Sequence, residues 1–86
     1  MEKVTLYTTK TCPFCRASKS ILKGNNIPFK EIDVTDDPYL QVDLFHKTGY
    51  ETVPLIFFGE KFVGGYNQLK GMDERGELKQ AFEKAA

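Results

Sequence analysis

The stretch Lys10-Thr11-Cys12-Pro13-Phe14-Cys15 decides how the rest of the chain is read. It holds the only two cysteines of the sequence, three positions apart. Val4-Thr5-Leu6-Tyr7-Thr8 before it predicts a β-strand, and Arg16-Ala17-Ser18-Lys19-Ser20-Ile21-Leu22-Lys23 after it predicts a helix. A strand, a short turn and a C-x-x-C pair opening a helix form the layout of a dithiol redox site. Pro13 suits the first helical turn, where its missing N–H costs nothing and its φ is already helical. Cys12 then falls at or just before the helix N-terminus, beside unpaired N–H groups and the positive end of the helix dipole. A thiolate is stabilised there as any anion would be. Cys15, one turn on, lies on the same helix face and can reach back to close a disulfide.

Outward from that site, the 86 residues suffice for one small domain over 1–86. Hydrophobic residues make up 41% and charged ones 28%, which is a globular rather than a disordered composition. Twelve basic and twelve acidic residues cancel, so no nucleic-acid or polyanion partner is expected. Met1-Glu2-Lys3 leads into an alternating strand, so no signal peptide is expected. The longest apolar run, Val53 to Phe58, is far short of a membrane span. Two cysteines in a chain of cytosolic character argue against a static structural disulfide.

Along the chain, Gly24-Asn25-Asn26 should end the first helix, with Gly24 as its left-handed stop. Phe29 to Val34 reads as a second strand, which makes a right-handed βαβ unit with parallel strands. Asp37 as N-cap and Pro38 at the first helical position start a helix to about Lys47, stopped at Thr48-Gly49. Leu55-Ile56-Phe57-Phe58 has the near-continuous apolar character of a strand covered on both faces. Gly59-Glu60 signals a hairpin, and Lys61-Phe62-Val63 returns as a short edge strand before Gly64-Gly65. Leu69, Met72, Leu78 and Phe82 suggest a final helix, interrupted near Gly71 or Gly76. The predicted order is β-α-β-α-β-β-α.

In this order the chain resembles the glutaredoxins, small glutathione-linked members of the thioredoxin-like fold. The resemblance runs nearly the whole length and rests on Lys10-Thr11-Cys12-Pro13-Phe14-Cys15, on Thr52-Val53-Pro54, on Gly64-Gly65 and on their spacing. It implies an α/β fold: a four-stranded mixed sheet, the first two strands parallel and the last two antiparallel, flanked by helices. It also implies glutathione as co-substrate, with no metal.

Cys12 is the expected nucleophile by position and by resemblance, and Cys15 the expected resolving cysteine. The helix start and Lys10 should lower the Cys12 pKa from about 8.5 into the ~3.5–7.5 range of such sites. A fall to about 5 raises the thiolate fraction at pH 7 roughly 30-fold, but nucleophilicity drops by a comparable factor, with a Brønsted coefficient of ~0.4–0.5. What improves is Cys12 as a leaving group, which suits an enzyme working through mixed disulfides. Phe14 is expected along the rim of the groove, by packing or by specific contact.

The resemblance further implies a cis Val53–Pro54 bond, with the Val53 backbone and Thr52 facing Cys12. Glutathione could pair with that backbone as a short added strand. Gly65, with the Tyr66 and Asn67 N–H groups at the following helix start, matches the family's γ-glutamyl carboxylate site. Lys10 and Gln41 match positions near the glycyl carboxylate, although Gln41 also reads as a solvated helix residue. Two departures weaken the match: Asn67, able to cap the helix, stands where relatives often have Asp, and Glu51 stands where they are often basic. His46 reads as a surface helix residue.

The expected function is a cytoplasmic, monomeric oxidoreductase that reduces glutathione mixed disulfides and protein disulfides. Its partners would be glutathione and glutathionylated or disulfide-containing proteins, with no membrane. A redoxin fed by thioredoxin reductase and a dimer holding a glutathione-ligated [2Fe–2S] cluster are the alternatives.

Overall fold

The computed structural model describes residues 4–84; the expectation for Met1-Glu2-Lys3 lies outside them. Strand β1 (Val4–Thr8) leads into helix α1 (Pro13–Gly24), strand β2 (Lys30–Asp33) and helix α2 (Pro38–Thr48). Strands β3 (Leu55–Phe58) and β4 (Lys61–Gly64) follow, then helices α3 (Tyr66–Glu74) and α4 (Leu78–Lys84). The sheet order is β2-β1-β3-β4. β1 pairs parallel with β2, Leu6 facing Glu31, and antiparallel with β3, Leu6 facing Ile56. β3 and β4 form the antiparallel hairpin, with a shift of register between Ile56 and Phe57.

The two-residue period of β1 and β3 builds a core on each face of the sheet. Val4, Leu6, Ile56 and Phe58 point into the larger one, closed by Leu22, Ile27, Leu69 and Leu78 from the α1, α3 and α4 side. Tyr7, Leu55 and Phe57 point the other way, against Val34 and α2's Leu44. Both central strands are thus covered on both faces, as the apolar run at Leu55–Phe58 required.

The helix ends follow local chemistry. Asp37 caps α2, its Oδ1 accepting the Leu40 N–H at 3.0 Å, and Gly49 ends that helix at φ 75°. At the end of α1 the expectation needs correction: Gly24 stays helical, Asn25 is the C-cap, and Asn26 takes the left-handed conformation at φ 58°. Asparagine tolerates that conformation, and the Asn25 side chain returns a hydrogen bond to the Ile21 carbonyl, so glycine is not needed. The final helical segment is two helices. The helix passes through Gly71 and breaks at Gly76, φ 69°, which makes the order β-α-β-α-β-β-α-α.

Candidate active site

Cys12 is the N-cap of α1, in an extended conformation (φ −115°, ψ 102°), with Pro13 in the first turn. Its sulfur takes the place a serine or aspartate oxygen fills in an ordinary cap, accepting the Cys15 N–H at 3.0 Å. The Cys12 carbonyl begins the helical ladder by accepting the Arg16 N–H at 3.3 Å. Cys12 and Cys15 are joined as a disulfide, with Cα atoms 5.2 Å apart. The two sulfurs differ in access: Cys12 is half-buried, while Cys15 is 2% exposed. Behind them, the buried Ser18 hydroxyl donates to the Phe14 carbonyl at 2.8 Å, bracing the first turn.

Two adjoining depressions lie at this end of the sheet, and Cys12 lines the first. The first, of about 320 Å³, is lined by Cys12, Thr11, Gln41, Leu44, Glu51 and Val53, among others. The second, of about 280 Å³, is lined by Phe14, Pro54, Gly65, Tyr66, Asn67 and Gln68. Tyr50, Thr52 and Val53 line both and form the wall between them. The Val53–Pro54 bond is cis, and the Val53 carbonyl oxygen lies 3.8 Å from the Cys12 sulfur. A larger depression between β4 and α4 contains none of the expected site residues.

The fold therefore gathers Cys12, Phe14, Gln41, Thr52, Val53, Pro54, Gly65, Tyr66 and Asn67 around one groove. Phe14, 59% exposed, packs on Tyr66 with ring centroids 5.2 Å apart, so the two rings form one rim. Gln41 lines the first depression, and its Nε2 donates to the Val34 carbonyl. One amide N–H is spent on that bond and the other remains.

Lys10 lines neither depression. Its side chain is exposed and pairs with Asp36 at 3.6 Å, and its backbone N–H donates to the Thr35 hydroxyl at 2.9 Å. The Thr35 side chain and backbone hold the neighbouring Asp33 carboxyl below the usual range, with Lys10 adding to the effect.

Asn67 does not cap α3. Gly65 is the N-cap and Asn67 the second helical residue, and Gln68 Oε1 accepts the Gly65 N–H at 2.9 Å. Gln68 lies tightly against Gly64, whose φ is 137°; a Cβ built there would fall 2.7 Å from Gln68 Cγ. The sequence reading missed both Gln68 and Tyr50. The signal for Gln68 was its place three residues after the N-cap glycine. Tyr50 had only its closeness to Thr52-Val53-Pro54.

The glutaredoxin family model matches residues 4–63. A glutaredoxin of Pseudomonas aeruginosa is 38% identical over 78 residues, spanning 91% of this chain and 93% of the relative. Among solved structures, glutaredoxin C1 of Populus tremula x tremuloides in its holo form superposes with a TM-score of 0.91 at 30% identity, covering 99% of this chain and 87% of that one. A Brucella melitensis glutaredoxin gives 0.88 at 31% identity, covering 100% and 94%.

Proposed function

The chain belongs to the glutaredoxin family of thiol–disulfide oxidoreductases, and from that premise we propose that it reduces disulfides at the expense of glutathione, with Cys12 as nucleophile and Cys15 as resolving thiol. The observation that carries this reading is the placement of the Cys12 sulfur. It caps α1, accepts the Cys15 N–H at 3.0 Å, and lines the groove beside Val53.

In the reduced protein that cap favours the thiolate, because the N–H and the helix dipole both stabilise negative charge on sulfur. The Cys12 thiolate attacks the glutathionyl sulfur of a mixed disulfide. A Cys12–glutathione bond forms, the substrate S–S bond breaks, and the substrate leaves as a thiolate that takes a proton from solvent. A second glutathione thiolate then attacks the bound glutathionyl sulfur. Glutathione disulfide departs, one half from the mixed disulfide and the other from the attacking glutathione, and the Cys12 thiolate is restored. With a protein disulfide, Cys12 forms a mixed disulfide with the substrate, and Cys15 attacks Cys12. That releases the second substrate thiol and leaves the Cys12–Cys15 bond, which two glutathiones reduce.

Glutathione would lie along Thr52-Val53-Pro54, its cysteinyl backbone pairing with that of Val53. The γ-glutamyl carboxylate would meet the Tyr66 and Asn67 N–H groups beyond Gly65, with Phe14 at the rim. The glycyl carboxylate would lie toward Gln41, with Lys10 reaching it only by leaving Asp36. The protein would act as a monomeric, single-domain enzyme of the cytoplasm on glutathionylated and disulfide-containing proteins. Among the described residues no helix is long and apolar enough to cross a membrane.

Coupled turnover tests the reading. Glutathione with glutathione reductase should sustain reduction of a small glutathione mixed disulfide, and thioredoxin reductase in their place should not. The reverse result would make the chain a redoxin of the thioredoxin-reductase type.

A further inference from the structure

The residues lining the two depressions beside Cys12 include one ionised side chain, Glu51, among the described residues. Every other lining group is apolar, a hydroxyl, an amide, a backbone group or one of the paired cysteines. Glu51 is exposed and makes no ion pair among the described residues, so its charge is not cancelled locally. Of the two cations flanking the cysteine pair in sequence, Lys10 pairs with Asp36, and neither Lys10 nor the exposed Arg16 lines either depression. The one charged side chain lining the groove is therefore an anion.

We propose that Glu51 is a specificity-determining residue that directs the enzyme toward substrate cysteines flanked by lysine or arginine. The inference rests on the reading of Cys12 as the attacking thiol and does not require glutathione. A basic flank gains attraction from Glu51, while an acidic flank meets repulsion that no cationic side chain lining the two depressions offsets. For glutathione, a net anion, the same carboxylate works against binding. The groove thus separates its protein substrates from its low-molecular-weight reductant by charge. Because Glu51 faces solvent, each charge contact contributes only ~0.2–1 kcal/mol. Attraction lost and repulsion lost together correspond to about two- to thirtyfold in relative rate.

The test uses two symmetric peptide disulfides, one with lysine and one with glutamate on each side of the cysteine. The fully reduced protein is mixed with each in a single turnover. Cys12 attacks one peptide sulfur and releases the other peptide as thiolate. Cys15 then displaces the bound peptide, so two protein thiols become one disulfide and one peptide disulfide becomes two thiols. The ratio of second-order rate constants, lysine peptide over glutamate peptide, is normalised to the same ratio with dithiothreitol, which removes intrinsic reactivity. Wild type should give a normalised ratio well above one. Glu51→Gln should lower it about two- to thirtyfold, and Glu51→Lys should invert it. At 1 M salt, where the screening length is about 3 Å, the wild-type ratio should fall to that of Glu51→Gln. A ratio unchanged across the three proteins overturns the inference and leaves the dithiol chemistry standing. Failure of wild type to react with either peptide overturns both.

Discussion

Replacing Asn67 by Asp separates two consequences of one added charge. Asn67 is the second residue of α3, exposed, and lines the depression shared with Phe14, Tyr66 and Val53. The first turn of α3 carries no acidic residue, so the introduced carboxylate would be the only anion there. A carboxylate at a helix start is worth ~0.3–1 kcal/mol, which for a domain this size raises Tm by about 1–8 °C. If the γ-glutamyl ammonium of glutathione lies against the same residue, replacing a neutral acceptor with a charged one strengthens that bond. At a solvent-facing site the gain is ~0.2–1 kcal/mol, up to about fivefold in affinity. The apparent KM for a glutathione mixed disulfide should fall by that factor, with kcat nearly constant, because the contact is the same in ground and transition states. Steady-state kinetics in the coupled assay and a thermal melt measure the two effects independently. A higher Tm with unchanged KM would refute the placement of glutathione at Asn67 while leaving the helix start intact. No change in either would refute the description of the helix start itself.

Cys12→Ser should abolish turnover of every disulfide, because the remaining thiol, Cys15, is buried. Cys15→Ser should keep most turnover of small glutathione mixed disulfides and lose most reduction of protein disulfides, read in parallel coupled assays. Gly64→Ala should cost ~1–3 kcal/mol in urea unfolding, since the residue holds φ 137° and a Cβ would push Gln68 off the Gly65 N–H. Stability near wild type would show that Gln68 is not needed where it lies. The Thr8 hydroxyl, donating at 2.8 Å, and then the Lys19 ammonium hold Glu31 below its usual value of 4.5. A carboxyl depressed in the folded state adds stability above that value, lost as pH falls through the folded pKa. Thr8→Val should therefore lower stability at pH 7 and make the loss below about pH 4.5 shallower; an acid limb identical to wild type would remove Thr8 as the cause.

Elements whose signals are local were legible in the sequence. Asp37-Pro38 placed a helix start to the residue and Cys12-Pro13 placed one to within a residue, because a cap and a first-turn proline act within one turn. The run Leu55–Phe58 declared a strand covered on both faces. What the sequence did not declare depends on groups distant along the chain or on choices among near-equal options. Gly71 and Gly76 were alike as breakers, yet Gly71 stays helical with Arg75 packed beside it, and only Gly76 takes positive φ. Lys10 looked like the natural partner of Cys12, but the Asp33-Val34-Thr35-Asp36 turn offers it a carboxylate. Asn67 looked like a cap, whereas Gln68 reaches back to Gly65. The Phe14–Tyr66 rim joins residues 52 positions apart and has no sequence signature.

The central claim is that Cys12 passes electrons from glutathione to disulfides through a covalent glutathionyl intermediate, and mass spectrometry of Cys15→Ser tests it most directly. The reduced variant, mixed with glutathione disulfide, should gain one glutathionyl group on the peptide bearing Cys12. Excess reduced glutathione should then remove that group and restore the free thiol. A variant that stays unmodified, or whose adduct reduced glutathione cannot remove, would contradict the account.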